Sequence, residues 1–136
     1  QALAAAKLGV KRVLALDNDP IAVKVARANV RANQLSRRIS VRLGSLPFRA
    51  DTAHRRGTRP RAPTFDMVVA NIIASVIQEL AHPLIAALKP SGILIAGGII
   101  AEKLDGVKIT LEDAGSAISE VLSEGDWRTI VAKRRE

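Results

Sequence analysis

The chain has 136 residues, 48% of them hydrophobic, with no cysteine, two histidines and a formal net charge of +8. That is one domain's worth of foldable polypeptide. It excludes a disulfide framework and thiolate chemistry, and His54 and His82 lie too far apart to suggest a metal site. The positive balance points to a polyanionic partner or simply to a solvated basic surface. Arg and Lys are spread over helix faces, the segment Arg49 to Arg61 and the tail Lys133-Arg134-Arg135.

The start, Gln1 to Gly9, reads as the back half of a helix rather than a targeting peptide: it lacks a basic leading region, and Gly9 suits the residue just past a helix end. Arg12 to Leu16 reads as a short buried strand ending at Asp17. Asp19 has the side-chain acceptor wanted at an N-cap and Pro20 suits the first helical position. A helix then runs from Pro20 to Asn33, with Ile21, Val25, Ala28, Ala32 and Leu35 as its apolar stripe. With the cap assigned to Asp19, Asp17 is left at the carboxyl end of a strand without a structural role. Ile39 to Leu43 alternates like a half-buried strand and ends at Gly44-Ser45.

Arg49 to Thr64 is almost free of apolar residues and holds five arginines, so it reads as an exposed basic loop. Phe65 to Ala70 forms the next strand and reaches Asn71. The helical region after it should be split by Pro83, which opens a second short helix. Lys89-Pro90-Ser91-Gly92 is a turn, and Ile93 to Ile100 is apolar throughout, the mark of a strand covered on both faces. Leu104, Val107, Leu111 and Ala114 define a helix closed by Gly115. Strands near Ile118 to Leu122 and Trp127 to Ala132 flank the hairpin turn Glu124-Gly125-Asp126. Strands alternating with helices imply an α/β fold with a mainly parallel sheet, to which the closing hairpin adds an antiparallel edge. No run of eighteen apolar residues occurs, so no membrane span is expected. Lack of cysteine fits a reducing, cytoplasmic setting.

This order of elements resembles the Rossmann-like class I S-adenosylmethionine-dependent methyltransferases. The likeness becomes specific at Asp17-Asn18-Asp19-Pro20, Val69-Ala70-Asn71-Ile72-Ile73-Ala74, Leu88-Lys89-Pro90-Ser91-Gly92 and Glu124-Gly125-Asp126-Trp127. Together these motifs resemble the catalytic domain of the bacterial ribosomal protein L-eleven methyltransferase family, with residues 49–64 as an insertion. The resemblance implies S-adenosyl-L-methionine as cofactor and a large-subunit ribosomal protein as substrate. It also implies a first strand and glycine-rich turn ahead of Gln1, so that residues 1–136 form a partial methyltransferase domain whose first strand is missing. Two buried strand edges would then lack partners, and a polypeptide with this boundary is expected to fold poorly and to be inactive.

Acids at strand carboxyl ends of open α/β sheets take up ribose hydroxyls, and by resemblance Asp17 is that ligand here; the alternatives are a surface loop acid or one pairing with a nearby arginine. Asn18 touches the adenosine edge or is simply solvated. Gly44 and Ser45 stand where related enzymes contact the adenine, or form a plain strand-ending turn. Asn71 is the catalytic candidate: its carbonyl can accept from an incoming amine and aim the nitrogen lone pair, unless it instead caps the following helix. Trp127 is expected to be buried at the hairpin rather than to touch substrate, and His82 to open a helix rather than to act as a base; Gly97-Gly98 marks a close backbone approach or admits a neighbouring helix. Two other enzyme or module readings remain. An RNA methyltransferase would use the basic loop for phosphate contacts, although Ile72-Ile73 replaces the Pro-Pro-aromatic that base methyltransferases place after this Asn. A non-catalytic basic module would have lost the cofactor and would ignore S-adenosylhomocysteine. Nicotinamide dinucleotide binding is disfavoured by the closing hairpin. Non-specific RNA contact through the basic surface, no membrane and no metal complete the expectations.

Overall fold

A computed structural model describes residues 1–46 and 64–136. The sequence expectation for residues 49–63 lies outside the described residues; Thr64 itself is exposed. The chain divides into two compact units, Gln1–Ser45 and Leu46–Glu136.

The first unit is a strand–helix–strand crossover preceded by a short helix. Helix α1 covers Ala2–Lys7, β1 Val13–Asp17, α2 Pro20–Ala32 and β2 Ile39–Leu43. β1 and β2 pair in parallel, from Val13 opposite Ile39 to Asp17 opposite Leu43. Asp19 caps α2 as its sequence requires: Oδ1 accepts the Ile21 N–H at 2.9 Å, with Pro20 in the first turn. The α2 stripe is a correction. Ile21 and Val25 point outward, 72% and 54% exposed, while Val23 and Val30 are buried against Ile39, Val41 and Ala6. Helix α2 carries apolar residues on two stripes, Ile21-Val25-Ala28 and Val23-Ala26-Val30, both with helical spacing. Periodicity alone cannot say which of them meets the strands.

The half-buried Arg38 ties the first unit together. Its Nη2 donates to the carbonyls of Ala6 and Val10, which bracket the end of α1. A guanidinium suits this place because the last carbonyls of a helix lack intrahelical partners and carry partial negative charge.

The second unit contains β3 (Phe65–Asn71), α3 (Ala74–Glu79), α4 (Ala81–Ala86), β4 (Leu88–Ile100), a single 3-10 turn (Ala101–Lys103), α5 (Leu104–Asp113), β5 (Ser116–Glu124) and β6 (Trp127–Arg134). Its sheet runs β3-β4-β6-β5. β3 and β4 are parallel; β6 is antiparallel to both β4 and β5. The two-stranded sheet of the first unit is thus purely parallel and the four-stranded sheet of the second is mixed, as in an α/β fold. The hairpin falls where the sequence placed it, with Glu124 opposite Trp127.

Three details differ from expectation. Helix α4 opens at Ala81, not at Pro83, which sits in its third position. The first turn of a helix has no partners for its N–H groups, so proline is tolerated throughout it. Lys89 to Gly92 is a detour inside β4 rather than a turn before it: Phe65 already pairs with Leu88, and the next pair is Met67 with Ile93. Finally, β4 is covered on one face within this unit. Leu94, Ala96 and Ile99 pack with Ile77, Leu84, Val107 and Leu111, whereas Ile93 and Ile100 stay 37% and 41% exposed. Met67 and Val69 on β3 are half-exposed likewise. Among the described residues no helix is long and apolar enough to cross a membrane.

Removing the Arg38 clamp tests this account of the first unit. Arg38→Ala should lower stability by about 1–3 kcal/mol in urea denaturation, because two carbonyls lose a charged donor. Arg38→Lys should recover only part of that, since an ammonium cannot reproduce the guanidinium geometry.

Candidate functional site

In a parallel strand–helix–strand unit, the carboxyl ends of the strands and the loops that leave them share one edge. In the first unit that edge is made by Asp17 at the end of β1, Asn18 after it, and Gly44 and Ser45 after β2. The Gly44 N–H donates to the Asp17 carbonyl at 2.9 Å, which closes the ladder there. Asp17, Asn18 and Ser45 are exposed and Gly44 is half-buried.

Asp17 does have a structural role, contrary to the sequence reading. Its Oδ1 accepts the Asp19 N–H at 2.8 Å and bends the chain into α2. Successive acids at 17 and 19 thus divide the turn, Asp17 holding the Asp19 amide and Asp19 the Ile21 amide. This local bond follows from the short Asp side chain, which reaches amides two residues on. A carboxylate offers about four acceptor positions, so one amide does not saturate it.

In the second unit the corresponding edge is the end of β3. Asn71, exposed and opposite Gly97, is its last residue. It does not cap α3: the residue at that position is Ile73, and no side chain caps the helix. The capping alternative therefore falls. The Asn71 carboxamide instead lies over Gly97 and Gly98. A Cβ on Gly98 would stand 3.0 Å from Asn71 Oδ1 and 2.8 Å from the Ile72 carbonyl oxygen, and Gly98 has φ +78°. A Cβ on Gly97 would stand 3.4 Å from Asn71 Oδ1 and 3.3 Å from Thr129 Oγ1. The close approach read from the Gly-Gly pair is thus real, and its partner is the candidate catalytic side chain.

Sequence reasoning missed Thr129, whose hydroxyl borders Gly97. It sits inside an alternating strand, where nothing in the pattern distinguishes it. Trp127 is a second correction: it is 58% exposed, not buried. As the first residue of β6 it stands at the end of the ladder opposite Ile100, itself 41% exposed, and no layer of the described residues covers it. His82, the second residue of α4, is exposed. Among the described residues no group of three His, Cys, Asp or Glu is arranged to hold a metal. Asp17 and Asn71 belong to different units.

The family model described as ribosomal protein L11 methyltransferase (PrmA) matches residues 1–135. The chain belongs to that family. The ribosomal protein L11 methyltransferase of Heliobacterium modesticaldum is 46% identical over 132 residues, which is 97% of this chain and 38% of that protein. The Chloroflexus aurantiacus relative of the same name is 43% identical over 148 residues, 98% of this chain and 44% of that one. The chain thus spans about two fifths of the length of the curated relatives it matches. Among solved structures, the ribosomal protein L11 methylase from Lactobacillus delbrueckii subsp. bulgaricus superposes with TM-score 0.79 at 27% identity, covering 99% of this chain and 64% of that chain. An RNA methyltransferase from Salinibacter ruber, in complex with S-adenosyl-L-homocysteine, shares the fold with TM-score 0.67 at 20% identity, covering 99% and 73%. This PrmA-family chain therefore has a methyltransferase-like α/β fold.

The Gly98 contact generates a direct test. Gly98→Ala should destabilise by about 1–3 kcal/mol in thermal or denaturant melts, since a non-glycine residue at this φ is strained and its Cβ meets a backbone oxygen. An unchanged midpoint would remove the stated reason for glycine there.

Proposed function

We propose that the chain is the catalytic part of an S-adenosylmethionine-dependent protein N-methyltransferase acting on the ribosomal protein named for its family, L11. The observation that carries this reading is the Asn71 carboxamide oxygen, set at the end of β3 by two glycines that leave room for it. The family match over residues 1–135 supports the chemistry and the substrate class.

The residues present suit the cofactor. Asp17 offers an exposed carboxylate at the strand end, able to accept from both hydroxyls of a ribose while still holding the Asp19 amide. Asn18 borders the nucleoside, and Gly44 and Ser45 meet the adenine edge through backbone groups and the Ser45 hydroxyl. S-adenosylmethionine, when bound, supplies a methyl group on a sulfonium, which is already a good leaving group. Asn71 Oδ1 accepts an N–H from the incoming neutral amine and so aims the nitrogen lone pair at that methyl. Its contribution is positioning, as expected when no metal or covalent intermediate is needed. With the cofactor bound, the methyl would pass from sulfur to that nitrogen, and the surplus proton of the product amine would leave for water.

Two variants separate the roles in the whole protein. Asp17→Asn keeps an acceptor for the Asp19 amide but loses the charge, so the S-adenosylhomocysteine dissociation constant measured by calorimetry should rise about 10- to 100-fold. An unchanged constant would refute the ribose assignment. Asn71→Ala should lower turnover by on the order of 10–100-fold, with a much smaller change in cofactor affinity. The reverse pattern would make Asn71 a binding residue.

A further inference from the structure

The charge of this protein is concentrated in one unit. Residues 1–45 hold nine Lys and Arg against two Asp, a formal +7, whereas residues 46–136 hold twelve against eleven. Both acids of the first unit, Asp17 and Asp19, are engaged at the β1–α2 turn by backbone amides. Among the described residues the one ion pair is Lys89 with Asp66, in the other unit. The positive charge of the first unit is therefore not neutralised by carboxylates within it.

Part of that charge borders a groove. Between α2 and β2 lies a depression of about 190 Å³ with Val30, Ile39 and Val41 as its apolar floor and Arg27, Arg31 and Ser36 at its polar margin. Arg27 and Arg31 are four residues apart, on one side of the helix. The half of Arg27 nearest its stem is fixed: Nε donates to the Val41 carbonyl at 3.1 Å. The remaining N–H groups of a guanidinium held this way are pre-organised, and their fork matches phosphate oxygens. Lys24 precedes Arg27 by one helical turn, so the row Lys24-Arg27-Arg31 extends about 10 Å along α2.

We propose that this groove binds the phosphate backbone of RNA, with Arg27 and Arg31 donating to a phosphate and Lys24 extending the track. The choice of RNA among polyanions rests on the proposed methylation of a ribosomal protein, whose surroundings include ribosomal RNA; the groove and its charge do not. None of the residues lining the groove is among those assigned to the cofactor, so contact with RNA orients the enzyme without using the groups that hold the reacting atoms. An anionic lipid surface is the weaker match. An interfacial helix needs a broad apolar face, and with Val23 and Val30 buried only Ile21 and Val25 remain as exposed large apolar residues of α2.

The test is fluorescence anisotropy of a labelled oligouridylate with the whole protein, across a salt series. Affinity should fall linearly with salt on logarithmic axes, and Arg27→Ala with Arg31→Ala should reduce the slope by roughly 1–2 and weaken low-salt binding about tenfold or more. Because Arg27 also holds Val41, Arg31→Glu provides a second variant. Arg31 is exposed and its side chain makes no hydrogen bond among the described residues, so this variant is expected to fold while RNA binding falls severalfold. S-adenosylhomocysteine affinity should be unchanged in Arg31→Glu, which keeps this proposal separable from the methyltransferase reading. Lys108→Ala, on α5, should leave the RNA slope as it was. The proposal is overturned if the Arg variants bind RNA like the parent, if Lys108→Ala weakens binding equally, or if phosphatidylserine vesicles are bound more tightly than RNA.

Discussion

The approach of the Asn71 carboxamide to bare backbone at Gly97-Gly98 is the constraint on which the second unit's candidate site depends. Asn71 ends β3 directly opposite Gly97, and the Ile72 N–H still reaches the Gly97 carbonyl at 3.3 Å. Gly98 takes a left-handed φ and lies under the Ile72 carbonyl. The β4–β6 ladder absorbs this kink: Ala96 pairs with Ile130, Ile99 pairs with Arg128, and one extra residue on β4 is accommodated between them. Such a bulge re-aims the chain beside a site while pairing resumes on either side. Any side chain at 98 would push on the peptide that follows Asn71, and hence on the orientation of its carboxamide. Structure and proposed chemistry therefore meet in the same few atoms.

The first unit solves a different problem with the same economy. Two aspartates separated by one residue each capture an amide two residues on, and together they turn the end of β1 into the start of α2. The Asp17 carboxylate is held in place by this local bond before any ligand arrives. A positioned acceptor loses less freedom on binding than a floppy one, which is the general advantage of pre-organisation. Arg38, spanning the end of α1 and the turn at Val10, stabilises the opposite side of the same small core.

Much of this was legible from residue order. The Asp19 cap, β2, the α5 helix with its closing glycine and the terminal hairpin all follow from local chemistry: an acceptor before Pro20, alternation at 39–43, Gly125 between two strands. The Gly97-Gly98 pair announced a close approach. What the sequence could not reveal was facing. Helix α2 has two stripes of apolar residues, and only the position of the strands selects Val23 and Val30. Strand β4 is apolar on both sides, yet only the Leu94-Ala96-Ile99 side packs in this unit. Trp127 looked like a core residue by type but sits at a ladder end. The Asp17 bond to Asp19 leaves no separate mark in the sequence, because one acid before Pro20 already satisfies the cap pattern.

The account's central claim is that the strand ends named here receive the cofactor. Amide-resolved NMR of the whole protein, titrated with S-adenosylhomocysteine, tests it most directly. The account predicts saturable shifts at Asp17, Asn18, Gly44 and Ser45 and at Asn71 with its neighbours Gly97 and Gly98, while the amides of Arg31 and Ser36 stay still. Saturable shifts confined to other parts of the chain, with those strand ends unmoved, would contradict it.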